Sequence, residues 1–321
     1  MCFSAQCWAA YHSYTREFGA DISISDFARL YGYRRTKGAS VKIPKAMDAA
    51  FAQPHTDQER EIRALIDEFN AGQARTWEAE LFTQRKRLAD AERALQVKTT
   101  KKAQEDQRIA RDKIEQRQGW LAALHRRELI DDDSRIFPMW YAPVMISEGG
   151  RRVVKPMRYG CRLAGKPANY DQRFPGTYNS RRDNLSGYWK DAFGYSHGIM
   201  AVTRFFENVS RHCAEGHDLA PGEAEENVVL EFTPRPAHTM LVACLWSHWK
   251  GSGSEPDLLS FAAITDEPPP EVAAAGHDRC IVPIKPENID RWLNPDPRDL
   301  DALQAILEDR DKPYYEHRMA A

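Results

Sequence analysis

"TMLVACLWSHWKGSGSEPDLLSFAAIT" runs from Thr239 to Thr265, and its reading sets the fold class. Two apolar runs, Thr239–Ser247 and Leu258–Thr265, flank the Gly-Ser stretch Lys250–Pro256. Short apolar runs bounded by Gly and Pro read as strands. The pattern repeats outward in "VVLEFTP" at Val228–Pro234 and "RCIVPI" at Arg279–Ile284. Strands in series with no helix between them pair antiparallel. Two helices close the chain. Pro286–Leu293 opens on a proline, and Asp299–Leu307 carries a stripe at Leu300, Leu303 and Leu307. The sequence contains no internal repeat.

The first half has another character. Residues 1–55 are mixed, with Trp8, Tyr11, Tyr14 and Phe18 spaced to share a helical face before Gly19. Between Gly72 and Gly119 there is no Gly or Pro, and charges dominate. Ile62, Leu65, Ile66 and Phe69 have helical spacing, and Leu81, Leu88 and Leu95 recur every seventh residue. Ile114, Leu121 and Leu124 echo this, and the polar Lys98–Gln104 turns one helix back on the other. Residues 57–129 therefore read as a helical hairpin or short coiled coil. Between Arg85 and Lys113 ten Lys/Arg face five Asp/Glu, either a phosphate-contacting surface or a solvated face with ordinary charge pairs.

The chain has 321 residues, 42% hydrophobic and 29% charged, enough for a large core. Its net charge of -2 gives no bulk attraction for nucleic acid, so any basic surface is local. Cys2, Cys7, Cys161, Cys213, Cys244 and Cys280 form no C-x-x-C pair, which argues against a zinc knuckle or disulfide framework and for a reducing cytoplasm. No signal peptide is recognised, and no apolar run approaches the ~20 residues of a membrane span. No metal or cofactor is expected.

Four places can carry chemistry. A side chain as small as that of Cys2 lets methionine aminopeptidase remove Met1. Cys2 then carries an α-amine beside its thiol, a 1,2-aminothiol that condenses with aldehydes to a thiazolidine; the alternative is an accident of the start. "GTYNSRRDN" at Gly176–Asn184 packs Asn179, Arg181 and Arg182 into a polar turn suited to phosphate, or forms a plain surface loop. Glu207 follows an apolar run with two phenylalanines, where desolvation raises a carboxyl pKa and suits proton transfer; the alternative is an exposed strand end. His277 lies on a Gly-containing loop before a strand and is an acid/base near neutral pH, or one of several structural histidines.

In this order the stretches resemble the SRAP family (SOS response-associated peptidase), which captures abasic sites in single-stranded DNA. That family's pattern is Cys at position 2, an Asn-Ala-Arg segment, a Phe/Trp-Tyr-Glu-Trp segment and a His-x-Arg-Met-Pro segment. Cys2, Asn179 with Arg181, Glu207, and His277 with Arg279 match it. "FPMWYAPVM" at Phe137–Met145 and "MLVACLWSHW" at Met240–Trp249 resemble two of its strands. The resemblance covers residues 1–30 and about 136–295. Many members begin Met-Cys-Gly-Arg, whereas this chain has Phe3 and Ser4, and "MRYGCRL" at Met157–Leu163 stands for Arg-Trp-Gly-Leu.

The resemblance implies an α+β fold: mainly antiparallel strands in a curved, barrel-like sheet with flanking helices, one domain over 1–321 with 57–129 inserted. It implies an enzyme of the DNA damage response that cross-links abasic single-stranded DNA through Cys2, with autopeptidase or lyase activity in the family's repertoire. Asn179 holds the N-terminus and sugar, Glu207 and His277 move protons, and Arg181, Arg162, Arg158 and Arg279 pair with phosphates. Tyr159, Tyr170 or Phe174 stacks on bases. The expected protein is a cytoplasmic monomer, nucleoid-associated on DNA, with the hairpin contacting DNA or a protein partner. Two rival readings are an N-terminal-nucleophile amidohydrolase of the glutamine amidotransferase type, and a non-catalytic DNA or protein adaptor.

Overall fold

The computed structural model describes residues 4–7, 11–219, 222–253 and 255–320. Cys2 and Trp8 lie outside the described residues. The strands are β1 (Ser4–Cys7), β2 (Asp21–Ile22), β3 (Arg135–Ile136), β4 (Tyr141–Glu148), β5 (Arg151–Tyr159), β6 (Asn179–Arg181), β7 (His197–Ser210), β8 (Asn227–Arg235), β9 (Met240–Trp249), β10 (Leu258–Asp266), β11 (Cys280–Ile281), β12 (Pro283–Ile284) and β13 (Tyr314–Met319). The helices are α1 (Tyr11–Phe18), α2 (Ile24–Lys37), α3 (Lys45–Ala49), α4 (Asp57–Val97), α5 (Lys101–His125), α6 (Tyr170–Arg173), α7 (Arg211–Ala214), α8 (Pro270–Ala274), α9 (Ile289–Leu293) and α10 (Leu300–Glu308). The described chain is α+β and falls into two compact units, residues 1–30, 41–53 and 130–321, and residues 31–40 and 54–129.

The first unit is built on one 13-stranded sheet with the path β12-β9-β10-β5-β4-β7-β1-β3. A second pairing, β7 with β9 from His197↔Leu245 to Val202↔Met240, curls the path back on itself. Two joints in that curl are thin. β4 meets β7 only at Met145↔Ile199, and β5 meets β10 only at Ser260↔Arg158 and Phe261↔Tyr159. The sheet is thus strongly curved without being a closed barrel. Gly198 permits the approach of β7 to β4, because a Cβ there would lie 2.9 Å from Val144 Cγ1.

The sequence runs around Thr239–Thr265 form β9 and β10, paired antiparallel from Leu258↔Trp249 to Ala263↔Cys244. "RCIVPI" divides at Val282 into β11 against β10 and β12 against β9. The expected strand at Phe137–Met145 starts at Tyr141, because Met139 adopts φ 75° and the chain turns there. The core behind the sheet holds Tyr14, Trp189, Phe193, Leu245, Trp292 and Leu307. Phe205 and Phe232 stack across β7 and β8, centroids 5.0 Å apart, worth about 1 kcal/mol beyond their buried area.

His197 ties β7 to this core. Its Nδ1–H donates to the Trp292 carbonyl at 3.0 Å, and its Nε2 accepts from the Gly194 N–H at 2.9 Å. Burial pushes the imidazole down to about 3, since protonation would cost it the Gly194 bond and charge a dry site. A folded-state pKa below the unfolded one contributes stability above pH ~6.5, lost as pH falls towards 3. At ~1.4 kcal/mol per pKa unit the loss is on the order of 4 kcal/mol. Urea midpoints should drop between pH 7 and 4, and His197→Gln should flatten that drop. An identical slope in both proteins would rule the linkage out.

In the second unit the hairpin forms where the heptads predict. α4 opens on a capping box, with the Thr56 side chain accepting from the Glu59 N–H at 3.2 Å and Glu59 from the Thr56 N–H at 3.0 Å. The turn is shorter than Lys98–Gln104. Thr100 accepts from the Ala103 N–H at 3.2 Å and starts α5 at Lys101. Leu81 is buried, Leu88 and Leu95 are half-buried, and Ala91, Ala103 and Ala110 are buried as well. Arg87–Asp106 at 2.5 Å and Arg111–Glu92 at 3.1 Å cross between the helices. Asp90, Glu92, Glu105, Asp106 and Asp112 all carry arginine partners. The basic excess therefore resides on Arg85, Lys86, Lys98, Lys101, Lys102 and Lys113.

Candidate active site

Strand β7 places three successive residues, Phe205, Phe206 and Glu207, in buried positions. Glu207 sits opposite Leu230, and its side chain is fully buried. A carboxyl group in such surroundings needs a polar partner. His277 supplies one, with Nε2 3.2 Å from Glu207 Oε2. The loop after α8 delivers the imidazole. Gly276 turns at φ 93° with Cys213 packed where a Cβ would stand, 2.6 Å away, and the His277 N–H returns to the Val272 carbonyl.

The hydrogen bonds fix the protons. His277 Nδ1 lies 2.8 Å from the Arg279 carbonyl oxygen, which can only accept, so Nδ1 carries hydrogen. The Arg279 N–H at 3.3 Å is the longer contact to the same nitrogen. Nε2 then meets Oε2 across one shared proton. Burial pushes the imidazole down to about 4, which favours its neutral form. Glu207 and His277 thus form one buried pair of titratable groups in contact.

A second pair lies on β5 and β6. Asn179 sits on β6, parallel to β10 at Ala263, and its Oδ1 accepts from the Tyr159 hydroxyl at 3.1 Å. That bond orients the amide, with Nδ2 directed away from the tyrosine. Tyr159 is buried, its ring stacked on Phe261 at 5.2 Å and edge-on to Tyr178 at 5.5 Å. It holds Asn179 in place and offers no open face to a base. Of Tyr159, Tyr170 and Phe174, the exposed one is Phe174, packed on Tyr170 with centroids 4.7 Å apart.

The four arginines divide. Arg181 is half exposed and donates to Asp183 through Nε at 3.2 Å and Nη2 at 2.8 Å. Arg279 reaches the same carboxylate, Nη2 to Oδ2 3.5 Å. A continuous chain of contacts thus runs Glu207–His277–Arg279–Asp183–Arg181, and β6 carries it on to Asn179 and Tyr159. Arg158 and Arg162 converge instead on another carboxylate. Both are buried and both grip Asp171 Oδ2 at 2.6 Å, and Arg162 stacks on Trp249 at 4.5 Å. Two guanidiniums on one carboxylate leave one positive charge in excess beneath the surface. Asp171 and Asp183 were not singled out from the sequence. Asp183 lies within the quoted "SRRDN", but nothing around Asp171 marks it.

Four of the described thiols, Cys7, Cys161, Cys244 and Cys280, are poor nucleophiles by position. Burial pushes Cys7 and Cys161 up to about 12, and Cys244 and Cys280 higher still. Among the described residues no three His, Cys, Asp or Glu side chains converge as metal ligands, and no helix is long and apolar enough to cross a membrane.

Among solved structures the chain is similar to a Bordetella bronchiseptica protein, with 16% identity over 61% of this chain and 90% of that one and a TM-score of 0.46. It is also similar to a Bacteroides thetaiotaomicron protein at 13% identity, over 59% and 78% of the two chains, TM-score 0.44. A phage-related Bordetella bronchiseptica protein gives 16% identity over 61% and 85%, TM-score 0.43. Comparison with curated proteins gives no match. The family model for SOS response associated peptidase (SRAP) matches residues 90–320. The match starts inside α4, takes in half the hairpin as well as Asn179, Glu207 and His277, and leaves Cys2 outside. Spanning well over half of the sequence, it settles the family: the chain belongs to SRAP, the SOS response-associated peptidases.

Proposed function

We propose that this SRAP protein captures abasic sites in single-stranded DNA through a thiazolidine on Cys2. The observation that carries the reading is the buried Glu207–His277 proton pair at the end of the sheet where β1 enters. Ser4 pairs with Phe206, the residue before Glu207. Cys2 is two residues from Ser4 in sequence, a chain reach of at most about 7 Å.

The chemistry balances without a cofactor. An abasic deoxyribose opens to a C1′ aldehyde, and the neutral α-amine of Cys2, with a reference pKa of ~7.7–8.0, adds to it. Loss of water gives the imine, and the Cys2 thiol adds across the imine carbon while its proton passes to nitrogen. Ring opening needs a proton on the sugar oxygen and carbinolamine dehydration needs one on hydroxyl; the Glu207–His277 pair stores one. Asn179, oriented by Tyr159, positions the sugar. Arg181 faces phosphate, and the surplus charge of Arg158, Arg162 and Asp171 attracts the strand from beneath. The reading requires removal of Met1, which intact-mass measurement checks.

The test is incubation with a single-stranded oligonucleotide carrying one abasic site, followed by a denaturing gel. A shifted, heat- and SDS-stable band is expected, with none for the undamaged strand. No band, together with glutamine hydrolysis, would replace this reading by the amidohydrolase one.

We also propose that the hairpin is a removable insertion and adds phosphate contacts through its basic excess. Replacing residues 57–129 by a short flexible linker should leave the sheet folded and the adduct intact. Affinity for single strands should fall at moderate salt, as it does when basic contacts are lost. A collapsed fold by circular dichroism would show that the hairpin is integral.

A further inference from the structure

Arg135 differs from the other arginines of the sheet. Arg158, Arg162, Arg182, Arg204 and Arg279, all buried or half-buried, each have a carboxylate within ion-pair distance. Arg135 is half-buried too, yet among the described residues its side chain makes one hydrogen bond, from Nε–H to Ser4 Oγ at 3.1 Å. Its guanidinium carbon lies over Phe206, 3.7 Å from the ring centroid, and 5.0 Å from that of Phe137. Desolvation lowers its pKa, with only the more distant fields of Asp132 and Glu231 opposing. Glu231 is already engaged by Arg204 at 3.1 Å and Arg318 at 3.0 Å.

The strand geometry fixes this placement. Arg135 pairs with Gln6 on β1, so its side chain shares a face with Gln6 and Ser4. Ser4 pairs in turn with Phe206 on β7. Phe206 and Ser4 hold the fork by its aromatic face and its Nε, which leaves Nη1 and Nη2 as paired donors. A cation held in a fixed fork, partly dried and without a carboxylate, suits a phosphodiester, which accepts two parallel N–H bonds.

We infer that Arg135 is a phosphate-binding residue, taking a backbone phosphodiester of the bound strand beside the N-terminal strand β1. This rests on the single-stranded DNA reading above and adds to it a specific contact outside the sequence pattern. Ser4 is the positioning residue for the fork.

The measurement is fluorescence anisotropy with an undamaged labelled single strand, which offers phosphate but no aldehyde, over a salt series. Arg135→Gln should reduce affinity roughly tenfold, the scale of one charge-assisted hydrogen bond. It should also flatten the slope of log K against log salt by about 0.7, one phosphate contact on a single strand. Arg135→Lys should keep the slope and recover part of the affinity, because it keeps charge but not the fork. Arg298→Gln, which removes an exposed arginine paired with Asp296, is the control and should change neither. Circular dichroism melts confirm that each variant is folded. An unchanged slope in Arg135→Gln, or no binding by the wild type, overturns the inference. The abasic gel separates the two ideas: a lost slope without any wild-type adduct sinks the capture reading alone, and an adduct with an unchanged slope sinks the Arg135 site alone.

Discussion

Cys2→Ala is expected to abolish the heat- and SDS-stable adduct with abasic single-stranded DNA. The variant keeps the α-amine, so it still forms an imine at C1′, but an imine hydrolyses when the gel sample is heated. Only a second bond to the same carbon closes a ring that survives, and the thiol of Cys2 is what makes it. Borohydride should therefore trap a product from Cys2→Ala that is absent without reductant. Cys2→Ser should behave similarly, with at most a weak oxazolidine. Cys7, Cys161, Cys244 and Cys280 cannot substitute, since they are buried and held protonated. A Cys2→Ala protein that gives as much stable adduct as the wild type would refute the thiazolidine outright.

Glu207→Gln and His277→Ala should each slow capture by roughly 10²–10⁴-fold, the usual contribution of a positioned acid or base. The glutamine variant is the sharper of the two. Its amide can donate to His277 Nε2 across the same 3.2 Å gap, so packing and hydrogen bonding persist while the transferable proton is gone. His277→Ala instead leaves a buried carboxyl without its imidazole, and both stability and rate should suffer. The double variant should be little slower than either single one, because the two act on one proton. Single-turnover gel kinetics reads all three. Multiplying effects would show that the residues work at separate steps, and wild-type rates in Glu207→Gln would remove the pair from the chemistry.

The parts legible in the sequence were those with local signals. β8, β9 and β10 were bracketed by Pro and Gly-Ser stretches, and the hairpin announced itself by heptads and by the absence of Gly and Pro. β5 gave no such signal. It begins Arg-Arg and carries Pro156, which demotes a run as a strand. The fold tolerates that proline because its partner across the ladder is Pro143, so neither position asks the other for an N–H. β7 entered the sequence reading only as the apolar run before Glu207, since nothing local shows that His197 lies against Trp292. At the site, residue types and order pointed to Glu207 and His277, but their contact is a tertiary fact. The burial of Arg158, Arg162 and Tyr159 was equally invisible, because Asp171 and Phe261 come from other strands and helices.

The excess charge around Asp171 has a consequence for how the protein responds to changing salt. An exposed cation such as Arg181 loses its pull beyond about 10 Å at 0.1 M ionic strength, because mobile ions gather round it. Arg158 and Arg162 sit where counterions cannot enter, and their joint field fades far less with salt. Attraction to a polyanion is thereby split into a part that osmotic stress switches off and a part that persists, and the balance between them can be altered at Asp171 without touching a surface residue.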